Sequence, residues 1–208
     1  MAAFLGNLRN VVIAGFVLAI LLVGIYCTLQ GFDGQTFGLF VTRWLHIASG
    51  VMWIGLLWYF NFVAAPTMPK IPDELKPALG RFITPAALFW FRWSAMATIV
   101  LGIGLAAMSN YLVEAYTLDL SQGTAGWPVV PKYLAIGIGM WLGTIMWFNV
   151  WFVIWPNQQK ALNIGGKYPD LAAAEKAAAA KTAGMFSRIN TLLSIPMLFS
   201  MVSAGHLY

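Results

Sequence analysis

His46 and His206 are the only histidines in the sequence, and both lie in apolar stretches where a titratable group is costly. Arg43 stands three residues before His46. If the helices carrying the two histidines run in opposite senses, both imidazoles face the same leaflet. Two neutral imidazoles from neighbouring helices are what a six-coordinate b-type haem requires, and an arginine one turn away would pair with its propionates. His46, Gly50, Trp53 and Leu57 share a helical face, so a small residue beside the ligand would admit a porphyrin edge. Two alternatives stay open. Each histidine makes ordinary interfacial hydrogen bonds, or one shares a metal with a methionine such as Met52, Met140, Met197 or Met201.

A second polar set comprises Arg92, Asn149, Arg188 and Asn190. An arginine with two amides suits a planar, anionic, hydrogen-bonding molecule such as a purine or quinone. The alternative is that Arg92 snorkels to the headgroups on its long stem. Trp53, Trp141 and Trp147 at mid-span either surround a flat ligand or fill the bundle. Cys27 is the single cysteine, which excludes a disulfide framework, a CxxC zinc site and a CxxCH haem attachment. No SxxK, GxSxG, HExxH, Walker or GxGxxG pattern occurs in a usable context, so hydrolytic, nucleotide-driven and dinucleotide chemistry lack support.

The elements that must position these residues follow from composition. The chain has 208 residues, 60% hydrophobic and only 9% charged, where a soluble domain carries about 25% charged residues. Lipid must therefore solvate most of its surface. The sequence predicts an all-α integral membrane helical bundle of about five transmembrane helices, over residues 10–30, 38–64, 86–109, 132–156 and 186–207. The first apolar run is longer than a signal-peptide core and lacks a small-residue cleavage site, so it reads as a span. No repeat or second domain is visible, and residues 1–208 are expected to form one transmembrane domain.

The basic residues set the expected orientation. With the N-terminus inside, Arg9, Lys70, Lys76, Arg81, Lys160, Lys167, Lys176, Lys181 and Arg188 lie on the cytoplasmic side, and only Arg43 and Lys132 lie outside. That bias predicts a cytoplasmic N-terminus and a periplasmic C-terminus. The net charge of +5 is thus a topology signal beside anionic lipid, with no nucleic-acid role. A proline-rich inner loop (65–77) and an outer loop (110–131) long enough to lie over the bundle mouth connect the spans. The alanine-rich stretch 170–185, beginning with Asp170 as N-cap, predicts a cytoplasmic helix leading into the last span. Glycines in spans two to four supply close helix approaches.

Four segments resemble a known family. GTIMWFNVWFVIWPNQQKAL (143–162) and SRINTLLSIPMLFSMVSAGHLY (187–208) are similar to signatures of the membrane domain of bacterial membrane-bound urate oxidase, also called urate hydroxylase. RWLHIASGVMWIG (43–55) and FRWSAM (91–96) resemble two further segments of that domain. The first of these is also similar to copper-resistance membrane proteins and to haem-binding membrane protoporphyrinogen oxidases. The resemblance implies a redox membrane domain whose urate oxidation is linked to the respiratory chain. His46 and His206 match family histidines; Arg92, Asn149, Pro156, Gln158, Arg188 and Asn190 match other signature positions. Ile189 stands where the family has a histidine, and the family's C-terminal cytochrome c domain does not follow Tyr208.

The resulting expectation is a haem b-binding redox protein of a bacterial inner membrane, with His46 and His206 on the iron and Arg43 beside them. It would pass electrons to a separate cytochrome c or a membrane enzyme complex, and use the Arg92–Asn149–Asn190 region for substrate. The alternatives are a non-catalytic accessory subunit, or a copper-handling membrane protein.

Overall fold

The computed structural model of the protein describes residues 2–120, 126–128 and 130–208. It is all-α, with no strand among the described residues. Five of its helices are long and apolar enough to cross a membrane: α1 (Leu8–Gln30), α2 (Gly34–Lys70), α3 (Lys76–Met108), α4 (Pro131–Leu162) and α5 (Ala173–His206). The chain divides into two compact units, Met1–Val41 and Thr42–Tyr208. In the first unit, Asn7 caps α1 by accepting the Arg9 and Asn10 backbone N–H groups at 3.0 and 3.4 Å. None of the α1 side chains is buried. Asp33 caps α2 in the same way, accepting the Thr36 N–H at 2.8 Å.

Each of the helices α2 to α4 contains a π-helical turn just ahead of one of its prolines. The π-helical turns Tyr59–Ala64, Leu79–Ile83 and Asn149–Ile154 end two residues before Pro66, Pro85 and Pro156. A helical proline clashes with the carbonyl four residues back. That carbonyl belongs to Phe62, Arg81 and Phe152, each inside a π turn. The wider winding takes it out of the proline ring's way.

Helix α5 carries the expected alanine-rich helix straight into the last span, and only its N-cap differs from expectation. The alanine-rich stretch and the last span form one unbroken helix of 34 residues, about 51 Å long. Alanine has the highest helix propensity, and no glycine pair or proline intervenes before Pro196. Asp170 is not its N-cap. The helix starts at Ala173, and the Glu175 carboxylate accepts the Ala172 N–H at 3.2 Å.

In the second unit the core gathers Trp53, Leu57, Leu88, Phe91, Ala95, Met146, Val150, Ile154 and Met197. Small residues bring α4 against α5: a Cβ on Gly139 would stand 3.2 Å from the Ser200 Cβ. Asn149 and Asn190, both buried, tie these helices further in. Asn149 Nδ2 donates to Asn190 Oδ1 at 2.8 Å, and Asn190 Nδ2 donates to the Met146 carbonyl at 2.9 Å. Helix α2 joins α5 where Trp58 Nε1 donates to Ser194 Oγ at 2.9 Å and Asn61 Nδ2 to Ser187 Oγ at 2.8 Å.

The described part of the outer loop packs along the first turns of α4. Its short helix Leu112–Tyr116 meets Gly137, where any Cβ would overlap the Ala115 carbonyl oxygen. Trp141 Nε1 donates to the Tyr116 carbonyl at 2.9 Å, and the Tyr116 and Thr144 hydroxyls lie 3.0 Å apart. Residues 121–125 and 129 of that loop lie outside the described residues.

Two predictions follow from this packing. Asn190→Leu leaves the buried Asn149 Nδ2 without its acceptor and removes one of the donors to the Met146 carbonyl, and unfolding in detergent should lose about 1–3 kcal/mol. Gly137→Val should lose at least as much, and an unchanged unfolding midpoint for either would show that these approaches carry no stability. At Asp33, the Thr36 backbone N–H, followed by its hydroxyl, holds the carboxyl below the ordinary carboxylate value. A lowered pKa contributes stability above the unfolded value and loses it as pH falls through the folded one. Protection of the Thr36 amide should therefore fall on acidification in the native chain and be pH-independent in Asp33→Asn.

Candidate functional site

The two histidines occupy different surroundings. His46 is half-buried, and its Nδ1 lies 2.9 Å from the Thr98 carbonyl oxygen on α3. A carbonyl can only accept, so Nδ1 carries the proton and Nε2 keeps its lone pair. Gly102 makes room for the ring: a Cβ there would come within 2.8 Å of His46 Cε1. His206 is exposed in the final turn of α5. Arg43 is exposed and reaches the Tyr111 phenol electrostatically; burial pushes that phenol up and Arg43 pulls it back.

A Cβ on Gly143 of α4 would lie 3.8 Å from Ile99 Cδ1 on α3, and a Cβ on Gly139 of α4 would lie 3.2 Å from Ser200 on α5. His46 alone has the arrangement of a metal-binding imidazole, with one ring N–H held by a carbonyl. Among the described residues, no three His, Cys, Asp or Glu side chains converge on a metal site.

The second polar set is also divided. Asn149 and Asn190 are spent on each other and on the Met146 carbonyl, and Arg188 is exposed. Arg92 instead turns to tryptophan. Its guanidinium carbon lies 3.7 Å from the centroid of the Trp155 ring, 5.2 Å from Trp151 and 5.9 Å from Trp93. Trp93 and Trp151 meet edge to face at 5.3 Å. Trp147, Trp151 and Trp155 recur every four residues. In an α-helix such a row drifts around the axis. The π turn Asn149–Ile154, which contains Trp151, winds the row back toward α3.

Several donors in this region lack an acceptor. Arg92 Nε and Nη1, Trp151 Nε1, Trp147 Nε1 and Trp53 Nε1 are buried without a hydrogen-bond partner. Every one of these atoms is a donor, and no carboxylate forms an ion pair with Arg92 among the described residues. Sequence reasoning placed Arg92 with the asparagines and missed Trp151 and Trp155. The four-residue spacing of the tryptophans was the available signal.

Residues 131–207, which include all of α4 and α5, match the family model described as urate oxidase N-terminal. This supports a urate oxidase-related domain in that part of the chain. Neither the curated proteins nor the solved structures contain a match.

The close fit of the His46 ring makes a direct prediction. Gly102→Val places side-chain carbon within 2.8 Å of that ring and should lower the unfolding midpoint in detergent, and an unchanged midpoint would show that the ring is not held there.

Proposed function

We propose that this chain is the membrane-integral domain of a urate oxidase-related oxidoreductase, residing in a bacterial inner membrane with its N-terminus in the cytoplasm. It binds an oxidisable planar substrate within the bundle and delivers the electrons to a separate cytochrome c or respiratory complex. The single observation that carries this reading is the family match over 131–207. Those residues also supply Trp147, Trp151 and Trp155 and the Asn149–Asn190 link between α4 and α5. Five helices of spanning length and apolarity, together with the distribution of basic residues, support the membrane placement.

The chain's own residues supply substrate binding: a cation with in-plane donors, indole faces for stacking, and an apolar enclosure that strengthens both.

The test uses membranes enriched in the intact chain, with urate and added oxidised cytochrome c. Urate-dependent reduction of the cytochrome, absent from membranes lacking the chain, is the expected result. If urate is neither consumed nor able to reduce any added carrier, the oxidoreductase reading is wrong and the accessory-subunit reading takes its place.

A further inference from the structure

We infer that Lys181, Gly184 and Arg188, on the unpacked face of α5, bind the headgroup of an anionic phospholipid whose acyl chains lie along Leu192, Ile195 and Phe199. The inference rests on the membrane placement proposed above and not on urate chemistry. Helix α5 has two unlike faces. Ala183, Asn190, Ser194 and Met197 are buried against the bundle. On the other side Met185, Leu192, Ile195, Phe199 and Val202 are 53% to 70% exposed. With Lys181 and Arg188 they follow one another at alternating steps of four and three residues, which keeps them on one side of a helix.

The basic end of this stripe is open. Lys181 and Arg188 are exposed and form no ion pair among the described residues. Ala177, Ala178, Gly184, Met185, Thr191 and Leu192 stand three or four residues from one or both of these cations, so no carboxylate neighbours them on the helix surface. Gly184 lies between the two, and a Cβ there would meet nothing within 4 Å. The backbone is therefore bare between the cations, and a phosphate reaches it without displacing a side chain. The Cα–Cβ bond of a helical residue tilts toward the N-terminus, which directs Arg188 toward Gly184. Seven residues separate the cations, about 10.5 Å of rise, a span that two long side chains close around one phosphate.

The length of α5 sets the depth. From Arg188 to His206 the helix rises about 27 Å, close to the roughly 30 Å of bilayer hydrocarbon. With Arg188 at one boundary, Leu192, Ile195 and Phe199 face acyl chains, and Lys181 and Gly184 lie in the headgroup layer. A phospholipid is the one molecule that carries a phosphate at that depth with chains beneath it. A zwitterionic headgroup also brings an ammonium, for which this face has no carboxylate. A headgroup whose only charge is its phosphate, such as phosphatidylglycerol, fits. A second copy of α5 would set Lys181 and Arg188 against their like, and an acidic soluble protein would leave the apolar stripe unused.

The test is native mass spectrometry of the intact chain from micelles of defined lipid content, with the unfolding midpoint read in parallel. Phosphatidylglycerol should stay bound and raise the midpoint; phosphatidylcholine and inorganic phosphate should do neither. Lys181→Gln with Arg188→Gln should weaken phosphatidylglycerol binding about twentyfold. Gly184→Leu should weaken it with both charges present, and Lys167→Gln, at an exposed position before α5, should not. Gly184→Leu favours the helix and meets no neighbour, so it keeps the test decisive if the double variant does not fold. Equal weakening by Lys167→Gln would assign the binding to net charge and overturn the site. A rise of the midpoint with inorganic phosphate as large as with phosphatidylglycerol would overturn the lipid assignment. Release of the chain from membranes by alkaline carbonate would overturn the membrane placement and this site with it. Unchanged binding in the double variant, in a chain that carbonate does not release, would overturn the site alone.

Discussion

A guanidinium held inside an apolar bundle sets the terms for the rest of this structure. Arg92 cannot lose its proton, and its insertion costs about 2.5–3.5 kcal/mol on translocon scales. Cation–π contact with Trp155 and Trp151 returns about 2 kcal/mol when desolvated. That contact covers the face of the group and leaves its Nε–H and Nη1–H unmet, and the indole N–H groups of Trp147 and Trp151 are unmet beside it.

The backbone around Arg92 is shaped by proline. Three helices meet their prolines with π turns, and the turn in α4 carries Trp151 and precedes Trp155. A regular α-helix over the same residues would rotate the tryptophan row away from α3. Asn149, the first residue of that turn, is fixed to Asn190. The asparagine pair therefore holds the turn that aims the indoles, and its part in the site is positioning. His46 belongs to a separate arrangement closer to the other end, where Thr98 and Gly102 of α3 hold its ring.

Much of the architecture could be read from the residues alone. Long apolar runs delimit five helices, because a span is defined by composition over about 20 residues. Glycine at 139 marks a close approach for the same local reason. The continuity of α5 was harder to read: polarity changes near residue 186, but helix propensity does not, and propensity decided the backbone. The π turns have no compositional signature beyond the prolines that follow them. Shared depth grouped Arg92 with Asn149 and Asn190 but does not fix azimuth: Asn149 donates to Asn190 and Asn190 to the Met146 carbonyl, while Arg92 meets Trp155 and Trp151. The local setting of each histidine was not legible either: Thr98 holds the His46 ring, whereas His206 is exposed in the final turn of α5.

The central claim is that the Arg92 guanidinium is held within the bundle under the tryptophans of α4. Arginine-selective nitrogen-15 labelling of the intact chain, with Arg92→Lys to assign the signal, tests it through water exchange at the side-chain Nε–H. Arg9, Arg43, Arg81 and Arg188 are exposed and provide the internal comparison. The account predicts that the Arg92 Nε–H exchanges more slowly than these four. Exchange as fast as theirs would place the guanidinium among the headgroups and contradict it.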